Sequence, residues 1–250
     1  MRGEDGPSAD GAAGIQATAA DRVALEDLAA VREVAYRLLA QAFLPPTARR
    51  FEEMRAFAEA LDDCDSGFCD LAFYPVWWQF PEAFGGFDGI GAESFAAPYV
   101  ALFQAAPGEV PAPLFESALL RDKIEDAAMV VPKLEIEYRA AGLKLTRAGG
   151  EEPDLVSVEL EFMAFLCGVE AGRWKHGEVQ QAGRELKRQR RFLREHLEPC
   201  LLELAARLER ADPDGPYAAA AAAALAFAAH DMELQRGLIG EVDVARIVDG

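Results

Sequence analysis

Few side chains in this sequence could act on a bond. The imidazoles are His176, His196 and His230, and the thiols are Cys64, Cys69, Cys167 and Cys200. A di-iron site in a helical bundle needs Glu-x-x-His pairs projecting inward. Arg173, Leu193 and Phe227 stand three residues before the histidines, so no such pair exists. H-E-x-x-H, G-x-S-x-G and a Walker A loop are all absent. The run Gly85-Gly86-Phe87-Asp88-Gly89-Ile90-Gly91 neither follows a strand nor opens a βαβ unit, so it is read as a flexible loop and not a dinucleotide fingerprint. The cysteines form no C-x-x-C pair, which argues against a disulfide scaffold or structural zinc and fits a reducing compartment. A Cys–His pair assembled only by the fold stays open. Cys167, however, lies in an apolar segment, where thiols are mostly inert packing.

The densest constellation runs from Glu137-Tyr138-Arg139-Ala140-Ala141-Gly142-Leu143 to Glu152-Pro153-Asp154-Leu155 and on through Glu159-Leu160-Glu161-Phe162-Met163 to Leu166. Its order is helix, glycine stop, loop, proline start, apolar helix. Such a hinge can let two helical lobes move, or swap between chains. Carboxylates gather at its mouth, beside the soft apolar surface of Tyr138, Phe162 and Met163. A groove apolar inside and acidic at its rim suits a peptide with a basic head and an apolar body. The plainer reading is that the same stripe is only core and helix termini.

The elements that would position these residues are helical throughout. Period-2 alternation is missing and Val, Ile and Thr do not cluster, so strands are not expected. Leu28, Val31, Ala35, Leu38 and Ala42 form a helical stripe within 21–43, stopped by Pro45-Pro46. Thr47 can cap a second helix reaching about Leu61. Prolines and glycines break 64–113 into short helices near 68–80 and 94–103, with Trp77 and Trp78 expected in the core. One helix is expected from Glu116 towards Val131, and another from Pro132 to the stop at Gly142. Pro153 suits the first turn of the next, almost wholly apolar helix, with Glu151, Glu152 and Asp154 placed for its dipole. A long helix over 178–209 should kink at Pro199, and an alanine-rich helix follows to about Arg236. The domain reading is a disordered tail at 1–20, an N-terminal helical lobe at 21–131 and a C-terminal lobe at 132–250, with the hinge loop at 143–153.

Bulk composition narrows the partners. Lys plus Arg total 25 against 43 Asp plus Glu, a formal charge of -18. So acidic a chain is repelled by nucleic acid and anionic lipid. The bases from Arg184 to Arg194 are therefore read as a solvated helix face, and Arg190-Arg191-Phe192-Leu193 as no export signal, since no apolar run follows it. The longest apolar stretch, Tyr217 to Ala229, is shorter than the ~20 residues a bilayer needs. Neither a leader nor a membrane span is expected, and the protein is read as cytoplasmic.

These residues resemble the signature of the TorD/DmsD/NarJ family of redox-enzyme maturation chaperones. That signature places an aromatic before Gly-Leu or Gly-Phe, then Glu-x-Pro-Asp-His, then an acidic and apolar helix ending Phe-Met-x-x-Leu. Tyr99, Leu102 and Phe103, then Pro113, Leu114, Phe115, Glu116 and Ser117, are similar to further family elements in the same order. So are Phe192, Leu193, Arg194, Glu195, His196, Leu197 and Pro199. The wording Glu159-Leu160-Glu161-Phe162-Met163 most resembles the branch serving periplasmic molybdenum enzymes of the dimethyl sulfide, ethylbenzene, selenate and chlorate type. One position departs: the family histidine after Pro-Asp is Leu155, so no imidazole role carries over there.

The resemblance implies an all-α bundle of two lobes joined by a hinge loop, and a function without catalysis, metal or cofactor. It implies binding of the molybdenum-containing catalytic subunit of an oxidoreductase, its twin-arginine leader, or both, until the molybdopterin cofactor is inserted. The expected partner contacts are Glu137, Tyr138, Glu152, Pro153, Asp154, Glu159, Phe162, Met163 and His196. The chain would be a monomer or a domain-swapped dimer. The competing readings are an accessory or cofactor-carrying subunit of such a complex, which would absorb visible light, and a helical scaffold.

Overall fold

Thr18 starts the first helix. Its hydroxyl accepts from Asp21 N at 3.2 Å while the Asp21 carboxylate accepts from Thr18 N at 2.8 Å, a reciprocal cap that fixes the entry into α1 (Ala19–Ala42). This is a computed structural model that describes residues 18–62, 68–104, 110–123, 127–144 and 152–248. Residues 1–17 of the expected tail, and 145–151 of the expected hinge loop, lie outside the described residues. The other helices are α2 (Ala48–Asp62), α3 (Tyr74–Trp77), α4 (Gln79–Ala83), α5 (Ala96–Phe103), α6 (Glu116–Leu119), α7 (Val130–Ala140), α8 (Val156–Lys175), α9 (Val179–Phe192), α10 (Glu198–Ala211) and α11 (Pro216–Val248). Among the described residues the fold is all-α, and its extended pairing is a single antiparallel bridge, Phe115 to Leu155.

The apolar stripe of α1 lies along α8, which in turn packs on α9, while α11 covers α9, α10, α3 and α4. Tyr36, Leu38, Leu39 and Phe43 from α1 and its end share one core with Leu160, Met163, Leu166 and Cys167 of α8. Phe68, Phe73 and Trp77 pack with Phe227 of α11 in an aromatic cluster whose pairs are edge-on or tilted.

Several expected elements are drawn differently. The helix expected from Glu116 to Val131 is cut after Leu119, because Leu119 and Leu120 are both buried and the polar run Arg121-Asp122-Lys123 turns back to bond Leu120 O. The apolar helix begins at Val156 and not at Pro153, because Leu155 is held extended in its bridge to Phe115. The kink expected at Pro199 is a π turn over Leu193–Leu197. Proline lacks an N–H for the preceding turn, and the wider turn accommodates that loss. The glycine run at 85–91 is wound into 3-10 turns, with Gly85 and Gly86 at positive φ. Of the tryptophan pair, Trp77 is buried but Trp78 is 53% exposed, since adjacent positions on a helix point about 100° apart and only one of the two faces the core. The alanine helix α11 continues twelve residues past Arg236, to Val248.

A buried polar lock joins four helices. Arg32 on α1 donates to Asp231 Oδ1 on α11 at 2.5 Å, to Glu170 Oε2 on α8 at 2.8 Å and to Gln189 on α9. Tyr36 donates to Asp231 at 2.7 Å, Trp174 to Glu170 at 2.9 Å and Gln235 to Asp231 at 3.0 Å. Burial works against the Arg32 charge, but Asp231 and Glu170 hold it firmly protonated. Burial also pushes the Cys167 thiol up, so the sulfur beside this lock is no nucleophile.

Gly142 ends α7 at φ +86°, letting Leu143 N reach back to Tyr138 O at 2.9 Å. An added Cβ would meet nothing within 4 Å there. Gly142→Ala should therefore cost only the backbone term, about 1 kcal/mol, read as a lower urea midpoint at unchanged slope.

Candidate functional site

The bridge between Phe115 and Leu155 is the centre of the site. Glu116 N donates to Asp154 O at 2.8 Å and Val156 N to Leu114 O at 2.9 Å, strapping 114–116 against 154–156. Asp154 turns its carboxylate back onto the same pairing, accepting from Ser117 Oγ at 2.5 Å and Ser117 N at 3.3 Å. Tyr138, from the last turn of α7, donates its hydroxyl to Pro153 O at 2.7 Å. Asp154, expected at the helix dipole, thus also ties together two segments 37 residues apart.

Beneath the strap the side chains are closed in. Glu159 has no exposed surface, and Tyr138, Asp154, Phe162, Met163 and His196 are all buried. Phe162 meets Tyr138 edge-on at 4.6 Å and Phe192 at 4.8 Å, and Phe192 lies 5.3 Å from the His196 ring. His196 Nδ1 sits 3.0 and 3.2 Å from the two oxygens of Glu116. Neither oxygen of Glu159 receives a hydrogen bond from a protein donor, and the neighbour in hydrogen-bonding reach of its carboxyl is the Glu116 carboxylate; Ser157 Oγ is likewise unpartnered. Burial pushes the Glu159 carboxyl well up, and the negative charges of Glu116 and Asp154 push it further in the same direction. Burial likewise raises the Tyr138 hydroxyl and the Cys200 thiol, leaving both neutral donors.

The residues expected as partner contacts therefore divide. Tyr138, Pro153, Asp154, Glu159, Phe162, Met163 and His196 meet in this covered cluster. Glu137 lies at its edge in an ion pair with Arg191 at 2.8 Å, and Glu152 is exposed. Sequence reasoning did not include Glu116, Ser117, Arg191 or Cys200 among the contacts. Glu116 and Ser117 had a usable signal, since Pro113–Ser117 is one of the ordered family elements. Arg191 had none, being one base in a basic run. Phe162 stacks at 6.4 Å on Phe165, which lines an open cleft of about 280 Å³ with Phe57, Arg37, Gln41 and Glu161. Such an assembly can bind and can exchange a proton, but it contains no activated nucleophile.

A family model described as nitrate reductase delta subunit matches residues 77–206, just over half of the chain. The chain belongs to this family. The matched stretch begins at Trp77 and ends within α10, so it takes in the strap, α7, α8, the π turn and every residue of the cluster beneath. The delta-subunit family is one of maturation chaperones for molybdenum enzymes, and it is not a catalytic family. Its members partner the molybdoenzyme catalytic subunit. None of the curated proteins compared with the chain matches it. Among the described residues no helix is long and apolar enough to cross a membrane.

Proposed function

We propose that this chain is a cytoplasmic chaperone that holds the apo catalytic subunit of a molybdopterin oxidoreductase, its twin-arginine leader, or both, and assists cofactor insertion before export. The observation that carries the reading is the coincidence of the family match with the site: residues 77–206 contain all the segments that converge on the strap. The client is an enzyme of the dimethyl sulfide, ethylbenzene, selenate or chlorate type, on the wording of Glu159 to Met163. Contact is made by Glu137, Tyr138, Glu152, Pro153, Asp154, Glu159, Phe162, Met163 and His196. Glu137 and Glu152 supply the acidic rim. The aromatic and methionine surface becomes available when the strap lifts, so binding is coupled to a local opening.

Co-expression with a molybdopterin catalytic subunit of the same cell, with and without its leader, tests this. Retention that needs the leader is the expected result. Retention of the leaderless subunit alone would move the contact to another surface. Loss of both, with this chain folded, would overturn the client assignment. Glu159→Ala combined with Asp154→Ala should weaken retention at least tenfold, since charge-assisted hydrogen bonds contribute about 1.5–3 kcal/mol each. Unchanged retention and maturation would remove those residues from the contact surface.

A further inference from the structure

Three carboxyl groups are packed around the strap, and the basic group paired within them is His196. Glu116 from α6 takes His196 from the π turn as its partner. Asp154 takes the backbone N–H and hydroxyl of Ser117. Glu159, one turn into α8, is left with no cation and no donor, only the Glu116 carboxylate to which its own neutral carboxyl can donate, and none of its surface is exposed. The remaining titratable groups facing it are Tyr138 of α7 and Cys200 of α10, both of which stay neutral. An ionised carboxylate buried without partners costs several kcal/mol, so the closed arrangement tolerates Glu159 only as the neutral acid.

We infer that a proton on Glu159 is the latch of the strap: the closed form holds one proton that the open form gives up to water. The geometry couples the two events. The bridge residues Phe115 and Leu155 are flanked by Glu116 and Asp154, whose charges press on Glu159 from either side of the pairing. Lifting the 154–156 segment removes Asp154, admits water to the first turn of α8 and lets Glu159 ionise in solvent. Burial followed by the two carboxylates raises the Glu159 carboxyl above its ordinary value of 4.5 in the closed form. A group so raised contributes stability that is full below its solvent value and is lost as pH rises towards the folded one. The strap therefore opens more often as pH rises from the ordinary carboxylate value of 4.5 towards the raised value of the closed form. This latch belongs to the fold and holds whatever partner the site serves.

Hydrogen exchange at the strap amides of Glu116 and Val156, corrected for the intrinsic pH dependence of exchange, reads the opening directly. In the full chain the opening constant should rise about tenfold more per pH unit than in Glu159→Gln, which keeps the shape but cannot ionise. Equal slopes in the two proteins overturn the latch. Should the variant fail to fold, infrared spectra of the unaltered chain labelled with ¹³C-glutamate decide. A protonated glutamate carbonyl band that persists above pH 4.5, where a solvated glutamate has ionised, and fades as pH rises further supports the latch, and its absence refutes it.

Discussion

Arg32→Met should destabilise the protein by about 3–5 kcal/mol, the usual cost of removing one partner from a buried ion pair and stranding the other. Two carboxylates are stranded here, Asp231 and Glu170, and neither side chain has access to water. Their remaining donors are Tyr36, Trp174, Gln189 and Gln235, all neutral. For a chain of this length the thermal midpoint should fall by roughly 6–20 °C. A triple variant, Arg32→Met with Glu170→Met and Asp231→Leu, should regain most of that loss, because well-packed apolar groups of similar volume often equal a buried ion network. Differential scanning calorimetry of the two variants separates the cases. A single variant that melts like the parent would mean that water already reaches the carboxylates. A triple variant as unstable as the single one would mean that the lock adds more than charge compensation, through the geometry it imposes on α1, α8, α9 and α11.

That lock also marks where sequence reasoning stopped. α1 was legible from its helical stripe and α8 from its nearly unbroken apolar run, because core packing decides what is buried and the apolar residues record it. Arg32 lies four residues after Leu28 and four before Tyr36, inside that stripe. Gln189 stands three after Leu186 and four before Leu193. A polar residue inside an apolar stripe is the available signal for a buried network. Naming its partners needs the fold, since Arg32 and Asp231 are 199 positions apart. The strap was hidden for a different reason. One bridge with two backbone hydrogen bonds leaves no alternation to read, yet it moves the start of α8 from Pro153 to Val156 and makes Asp154 a cross-link to Ser117 as well. The convergence of Tyr138, Asp154, Glu159, Phe162, Met163 and His196 was foreshadowed by the order of the motifs. The burial of Asp154 and Glu159 was not, because a carboxylate in a helix is read as solvated until a neighbour is seen to cover it.

Tyr138 separates the packing of the site from its closure. Tyr138→Ala should cost about 3–5 kcal/mol, since it deletes a ring with only 2% of its surface exposed that rests on Phe162 at 4.6 Å. Tyr138→Phe keeps the ring and removes only the hydrogen bond to Pro153 O, a loss of about 1 kcal/mol. The two losses differ in size and reach. The alanine variant weakens the shared core and should lower the global unfolding midpoint strongly. The phenylalanine variant frees the segment leading into the strap, so amide exchange at Glu116 and Val156 should quicken about fivefold to tenfold while global stability falls by no more than the same ~1 kcal/mol. The consequence for binding follows from population arithmetic. If the contact surface lies under the strap and the open form is scarce, apparent affinity scales with the fraction open. Tyr138→Phe should then bind the leader or the subunit about fivefold to tenfold more tightly than the parent, measured by titration calorimetry. Weaker binding would show instead that the hydroxyl itself is a contact, and unchanged binding with faster exchange would place the partner on a surface the strap does not cover.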